Sequence, residues 1–226
     1  DEIDSEEKFS ALRKSLSEKG YIPMLRYEQG EHLLYIIKKP KRKVKPVWIN
    51  YALFIATIIT TTLAGSYQWV SIYNKDLIEM ISTYYIGQGF ISFSVPLLLI
   101  LGVHEMGHYY ASKKHHVDAS LPYFIPLPPP FLLGTFGALI STREPIPDRK
   151  ALLDIGIAGP LCGFLIAIPI SLIGFFLMQQ HPFAAPNTGT NMILLPPLLL
   201  QWMGNLFSIP ENAVIHPTLF AGWVGI

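Results

Sequence analysis

Two histidines and a glutamate stand within five residues, in the sequence His104-Glu-Met-Gly-His108. On a helix, positions i and i+4 differ by about 40° around the axis and about 6 Å along it, so both imidazoles lie on one face. They can then bind one zinc ion, with Glu105 beside the open coordination position. Zinc lowers the pKa of bound water to about 7, and a neighbouring carboxylate accepts the proton during attack on a carbonyl. The motif therefore predicts a hydrolytic site with one Zn²⁺ per chain.

The surroundings of this motif favour the metal site over a pair of surface histidines. The charge-free run Met80–Val103 leads directly into the motif and continues to Ala111 with Glu105 as its one carboxylate. Ionisable side chains at membrane depth are costly and usually functional. Three of them within two helical turns therefore point to chemistry.

A catalytic zinc ion needs a third protein ligand. The histidines nearby fit better as a solvated basic cluster with Lys113 and Lys114, and Asp154 suits the N-terminus of the next helix. The third ligand stays open at this point, and the candidates within the chain are His115, His116, Asp118, Glu144, Asp148 and Asp154.

Charge is distributed very unevenly along the 226 residues. Residues 1–46 carry 19 of the 33 charged side chains, whereas the 72 residues after Asp154 carry only Glu211. No soluble fold has an interior large enough for such a stretch. The composition predicts a polytopic membrane protein. A net charge of +1 gives no sign of the basic surface that nucleic-acid-binding proteins carry, so no nucleic-acid partner is expected.

Five apolar segments follow the polar N-terminus. A membrane-spanning helix needs about 20 apolar residues, which three of the segments provide. The last segment is too short to span, and we expect the chain to be a piece of a longer protein. The segments are Val47–Ser66, Met80–Val103, Ile155–Gln180, Met192–Phe207 and Thr218–Ile226.

Residues 1–46 predict a small α+β module. Residues 5–19 have helical apolar spacing, and residues 21–27 and 32–38 form a hairpin pattern. A unit of this size is marginal alone, so we expect it to pack on another surface or to dimerise.

Lys and Arg residues set the expected orientation. Residues 38–45 contain six of them, and the segment 112–152 is also basic, with two lysines at its start and three basic residues near its end. By the positive-inside rule, the N-terminus and the opening of the site face the cytoplasm. We expect a prokaryotic plasma membrane rather than an organelle (thylakoid) membrane.

The segment Leu121–Ser141 cannot be a helix, because it contains five prolines. Residues 131–140 are apolar and strand-like. Irregular backbone at membrane depth must be buried in protein or line a cavity, and an open strand edge there could bind an unwound peptide. A plain loop at the membrane interface is the alternative.

These motifs together resemble the site-2 proteases, which are intramembrane zinc metalloproteases. The resemblance rests on His104-Glu-Met-Gly-His108, on the stretch Gly134-Thr-Phe-Gly137 and on Gly156-Ile-Ala-Gly-Pro160 at the next helix. The most similar subgroup is the one with archaeal members and the chloroplast EGY-type proteins. It implies an all-α membrane core over residues 47–226 with a re-entrant β segment.

The resemblance also implies roles for individual residues. His104 and His108 would bind zinc, Glu105 would be the catalytic general base, and the family's third ligand is an aspartate expected beyond Ile226. The residues implied to bind the substrate are Gly134, Thr135, Phe136 and Gly137. The implied substrate is a membrane-spanning protein within the lipid bilayer.

Three alternatives remain open from the residues themselves. One is a catalytically inactive scaffold that binds membrane helices, and another is a metal transporter, which the scarcity of charge after the second span disfavours. The third is a different membrane protease that uses Glu144 as its third ligand.

Overall fold

The computed structural model describes residues 2–38, 46–143, 145–180, 197–210 and 213–226. Residues 39–45 of the basic stretch, Glu144, and residues 192–196 of the fourth apolar segment lie outside the described residues. The helices are α1 (Glu2–Glu18), α2 (Trp48–Ile72), α3 (Thr83–Gly89), α4 (Val95–Lys114), α5 (Arg149–Gln180), α6 (Leu198–Gly204) and α7 (Pro217–Gly225). The strands are β1 (Tyr21–Glu28), β2 (Glu31–Lys38), β3 (Tyr123–Pro126) and β4 (Thr135–Leu139).

The N-terminal elements match the predicted α-β-β order. Strands β1 and β2 form an antiparallel hairpin in which Tyr21 pairs with Lys38 and Glu28 with Glu31. The turn uses positive φ at Gln29 and Gly30, as the Gln-Gly pair suggests. Helix α1 contacts β1, whose Ile22 is buried. The predicted helix and hairpin are confirmed, while a boundary at residue 46 stays a prediction.

Within the described residues, three helices are long and apolar enough to cross a membrane. They are Trp48–Ile72, the continuous stretch Thr83–Lys114 and Arg149–Gln180, and they coincide with the three predicted spans. The first extends six residues beyond the predicted Ser66, to Ile72. In this extension Trp69 donates from Nε1 to the Ser92 hydroxyl at 2.7 Å, which ties it to the second long helix.

The second long helix contains a π-helical turn, Phe90–Ser94, between α3 and α4. Pro96 follows it and has no N–H, so it cannot bond to the carbonyl four residues earlier. That carbonyl belongs to Ser92, and it accepts a hydrogen bond from the Thr218 hydroxyl of α7 at 2.7 Å. The Ser92 carbonyl therefore anchors α7 to the second long helix through this hydrogen bond.

Small residues let the helices approach closely. A Cβ on Gly65 of α2 would lie 2.6 Å from the Gly89 carbonyl oxygen of α3, and a Cβ on Gly107 of α4 would lie 2.6 Å from the Ala158 carbonyl oxygen of α5. Small residues at such positions let two helix backbones approach closely enough to pack directly against each other. The core between them includes Phe93, Leu97 and Ile100, all at most 2% exposed.

The proline-rich segment forms a short hairpin, β3 with β4, that runs along α2. At its start, Asn50 donates to the carbonyls of Leu121 and Pro122 at 3.0 and 2.9 Å. At its far end, the Thr60 hydroxyl donates to the Gly134 carbonyl at 2.6 Å. The predicted strand within residues 131–140 is confirmed as β4, and α2 is the element that supports it.

The start of α5 corrects one expectation. The helix begins at Arg149 rather than near Ile155, and the Asp148 carboxylate accepts a hydrogen bond from the Ala151 N–H at 2.7 Å. Asp148 therefore occupies the capping role expected of Asp154, because the first turn lies six residues earlier than the apolar run indicates. Asp154 lies inside the helix, and so does Pro160.

Candidate metal centre

His104 and His108 converge on the side of α4 that faces α5. Their Nε2 atoms lie 3.2 Å apart, and their rings meet edge to face with centroids 4.9 Å apart. The helical spacing predicts a shared face, and the structure shows that the two side chains also turn the same nitrogen toward each other.

The backbone of α5 orients His108. Its Nδ1 lies 2.6 Å from the Ile155 carbonyl oxygen, which can only accept a hydrogen bond. A proton on Nδ1 satisfies that contact and leaves the Nε2 lone pair directed at His104. Histidines that bind metals are usually held in this manner, with the second nitrogen bonded to a carbonyl or carboxylate.

The spacing of the two nitrogens fits a zinc ion. In a tetrahedral site with Zn–N distances of about 2.0–2.1 Å, two ligand nitrogens lie about 3.3 Å apart. The observed distance of 3.2 Å between the two Nε2 atoms is close to that value. The imidazole donor set also suits zinc. The pair therefore fits two positions of a zinc site.

Two glycines of α5 make room for the two rings. A Cβ on Gly159 would overlap the His108 imidazole at Nε2, and a Cβ on Gly163 would lie 3.0 Å from Nδ1 of His104. Gly159 therefore packs directly against α4. These glycines are one helical turn apart, so each faces one histidine.

Glu105 is buried beside the histidines, with 6% of its surface exposed. Its carboxylate interacts with the backbone of Ile140, the residue that follows β4. A buried carboxylate is costly unless it is hydrogen-bonded or near a cation. Glu105 therefore links α4 to the end of β4.

The described acidic candidates for a third ligand are engaged elsewhere. Asp118 lies 3.3 Å from Arg143 and 3.8 Å from Lys113, and Asp154 lies 2.9 Å from Nε2 of His115. Within the described ranges, no group of three or more His, Cys, Asp and Glu side chains is placed to hold a metal. His115 is thus more than a solvated residue, because it links the end of α4 to α5.

A cavity of about 460 Å³ opens beside His104. Its walls are apolar apart from His104, and they come from α5 and from the end of α7. The residues that line it are His104, Gly156, Ile157, Pro160, Leu161, Phe164, Gly225 and Ile226.

The stretch Gly134–Gly137 divides into a supporting part and an exposed part. Gly134 has φ +66° and lies against the backbone of Thr60 and Thr61, where a side chain would not fit. Thr135 is buried, and its hydroxyl bonds the Ile125 carbonyl at 2.9 Å and the Gly137 N–H at 3.0 Å. Phe136, in contrast, is 76% exposed. Of these side chains, that of Phe136 offers the most accessible surface.

Sequence reasoning missed several residues that shape this site. Ile155 and Ile140 contribute through their backbone groups, which every residue type has, so their roles could not be predicted from the sequence. Gly163 had a usable signal, because Gly159 and Gly163 form a small-xxx-small pattern in an apolar helix. Asn50 had a weaker one, as an amide at the start of a spanning helix.

Comparison with known proteins gives a consistent result. The family model for peptidase family M50 matches residues 92–226, which is more than half of the chain. The "Probable zinc metalloprotease EGY1, chloroplastic" of Arabidopsis thaliana is 30% identical over 61% of this chain. The "Probable zinc metalloprotease EGY2, chloroplastic" of Oryza sativa subsp. indica is 24% identical over 83% of it.

The chain spans 26% of the length of the first relative and 34% of the second. No solved structure matches it. The matched region contains the two histidines, Glu105, the β3–β4 hairpin and α5. The chain belongs to peptidase family M50, the site-2 proteases, and it is similar to the EGY1 and EGY2 proteins.

Proposed function

We propose that this protein is the core of a zinc-dependent intramembrane endopeptidase. The observation that carries the proposal is the convergence of the His104 and His108 Nε2 atoms at 3.2 Å, next to the buried Glu105. The M50 family match and the names of the relatives support a protease. The intramembrane setting and the roles of the residues are our inference.

The depth of the site supports hydrolysis within the bilayer. Three of the helices that the structure describes are long and apolar enough to span, and a span crosses about 30 Å of hydrocarbon. His104 lies ten residues before Lys114, the end of α4, which is about 15 Å along a helix. Thr60, which holds Gly134, is equally far from Asn50 along α2. The histidines and the tip of the re-entrant hairpin would both lie near mid-membrane.

His104 and His108 would hold the zinc ion, with Nδ1 of His108 donating to Ile155. Bound zinc would supply Lewis-acid polarisation of the scissile carbonyl and a more acidic water. Glu105 would accept the proton of that water and pass it to the leaving amine. The low exposure of Glu105 keeps bulk water from competing for this proton.

The edge of β4 would bind the substrate in extended form. Within the described residues, β4 pairs only with β3, so its second edge is available for another strand. A peptide added there gains backbone hydrogen bonds that an unwound transmembrane helix has lost. Because Ile140 follows β4 and contacts Glu105, a peptide along this edge would pass the catalytic carboxylate.

The third zinc ligand is proposed to follow Ile226. Gly225 and Ile226 line the same cavity as His104, so a residue shortly after them would lie near the two histidines. The cytoplasmic placement of the N-terminus and of the site's opening rests on the positions of Lys and Arg. We propose a prokaryotic plasma membrane as the location. The word "chloroplastic" in the names of the relatives describes those proteins and not this chain.

Two substitutions in the full-length protein test the proposal. Glu105→Gln should keep about one zinc per chain and lose cleavage of a transmembrane substrate by at least about a hundredfold, because the proton acceptor is gone. His108→Ala should lose both zinc and cleavage. Glu79→Gln, in the short 3-10 helix Leu77–Ile81, is the control and should change neither.

Normal cleavage by Glu105→Gln would overturn the proposed mechanism. Zinc retained without any cleavage by the unmodified protein would favour a helix-binding scaffold instead. Zinc lost on Glu144→Ala would favour the protease with a glutamate as its third ligand.

A further inference from the structure

Strand β2 of the N-terminal hairpin is exposed along its whole length. All eight residues from Glu31 to Lys38 are exposed, and within the described residues β2 pairs only with β1. Its centre is entirely apolar, and the exposed fractions there are 38% to 55%. The residues are Leu33, Leu34, Tyr35, Ile36 and Ile37. Single exposed apolar residues are ordinary, but five in a row on an open edge indicate a binding surface.

The two edges of the hairpin differ in how they are protected. β1 carries Pro23, which lacks an N–H, and Arg26 within the strand, and α1 packs against it. Charges and prolines within an edge strand prevent pairing with other chains. β2 has neither between Leu33 and Ile37. Its edge is therefore the one open to another strand, and a two-stranded sheet also needs further strands for stability.

We propose that β2 pairs antiparallel with β2 of a second copy of this chain, so that two hairpins form a four-stranded sheet. In a two-fold symmetric pair the strands are centred on one residue. The apolar run is centred on Tyr35, so pairing Tyr35 with Tyr35 of the partner subunit sets every residue of the run against an apolar one. Moving the centre to Leu34 would set Glu31 against an isoleucine.

The charges at the ends of β2 favour this same orientation. Glu31 begins the strand and Lys38 ends it. Antiparallel pairing brings the acidic end of each strand alongside the basic end of the other, whereas parallel pairing would align like charges. Cross-strand pairs of aromatic and branched residues add to the stability of such a sheet. The partner that fits the free edge of β2 is therefore β2 of a second copy of this chain.

Disulfide trapping tests the centre of the interface in the whole 226-residue chain, purified in detergent. Cys162 is replaced by Ser, since it is the single native cysteine. Tyr35→Cys should then form a disulfide-linked dimer under mild oxidation, because directly opposed strand residues are about 4.5–5.5 Å apart. Tyr27→Cys, on β1 and 67% exposed, should stay largely unlinked. Equal linking of both positions would overturn the proposal.

Mass measurement of the detergent-solubilised chain tests the interface without a cross-link. The unmodified chain should have about twice its 25.4 kDa mass at micromolar concentration. Ile36→Lys should raise the dissociation constant at least about tenfold, because symmetry places the lysine in the interface twice. Leu25→Lys is the matched control: it is on the same face, on β1, and 51% exposed against 55% for Ile36.

A monomeric unmodified chain, or a dimer unaffected by Ile36→Lys, would overturn the proposal. A monomer whose Tyr35→Cys thiol becomes protected on vesicles of anionic lipid would assign this strand to the membrane surface instead.

Discussion

The Nε2 atoms of His104 and His108 lie 3.2 Å apart because α5 holds both rings, and not through the helical spacing alone. An i, i+4 pair shares a face, but its side chains still have several rotamers. The Ile155 carbonyl holds one ring through Nδ1, and Gly159 and Gly163 leave space for both. The candidate metal centre is thus a property of the α4–α5 interface.

Substitution of these glycines should therefore lower the affinity for zinc, and more strongly at Gly159 than at Gly163. Gly159→Ala should weaken zinc binding by at least about tenfold, the range seen when groups that orient a metal ligand are changed. Gly163→Ala should have a smaller effect, because its Cβ would only crowd His104 at 3.0 Å. The measurement is zinc affinity by competition with a chelator.

Gly87→Ala is the control for that series. It lies in α3, outside the lining of the cavity beside His104, and its Cβ would meet nothing within 4 Å. Alanine also favours the helix by up to about 1 kcal/mol, so zinc binding should be unchanged and thermal stability no lower. Equal loss of zinc at all three positions would show that the glycines act through general folding.

Asn50 should be needed to hold the β3–β4 hairpin against α2. Asn50→Asp keeps the shape but removes the amide donors that bond the Leu121 and Pro122 carbonyls. Unpaired buried polar groups cost about 1–3 kcal/mol each, so the segment should loosen and protease cuts between residues 127 and 133 should become faster. Tyr51→Phe, at the exposed neighbouring position, should leave the cleavage pattern unchanged. An unaltered pattern in Asn50→Asp would show that other contacts suffice.

Asp154→Ala should leave the zinc content unchanged. The Asp154 carboxylate lies 2.9 Å from Nε2 of His115, and its side chain is 45% exposed. A pair of this exposure contributes at most about 1 kcal/mol, so the expected effect is a small drop in thermal stability. His115→Ala should give a similar drop, and the double variant little more than either. Loss of zinc from Asp154→Ala would instead identify this residue as a ligand.

Most of the element order was predictable from residue patterns. The charge-free runs predicted the three long helices, and the prolines around β3 excluded a helix there. The start of α5 was misplaced, because Arg149, Lys150 and Asp154 make its first turns look like a loop. The π-helical turn before Pro96 was not predicted either, because its carbonyl is satisfied by Thr218, more than a hundred residues later.

The residue types and their order are enough to establish the available chemistry: two imidazoles and a carboxylate at helical spacing, in an apolar chain. Those properties are local, since they depend on residue type and on the period of one helix. Helix packing, in contrast, sets which nitrogen of His108 is left for a metal, which strand ends beside Glu105, and that Asp118 and Asp154 bind basic partners instead. These relationships join residues distant in sequence, and their distances arise only when the helices pack.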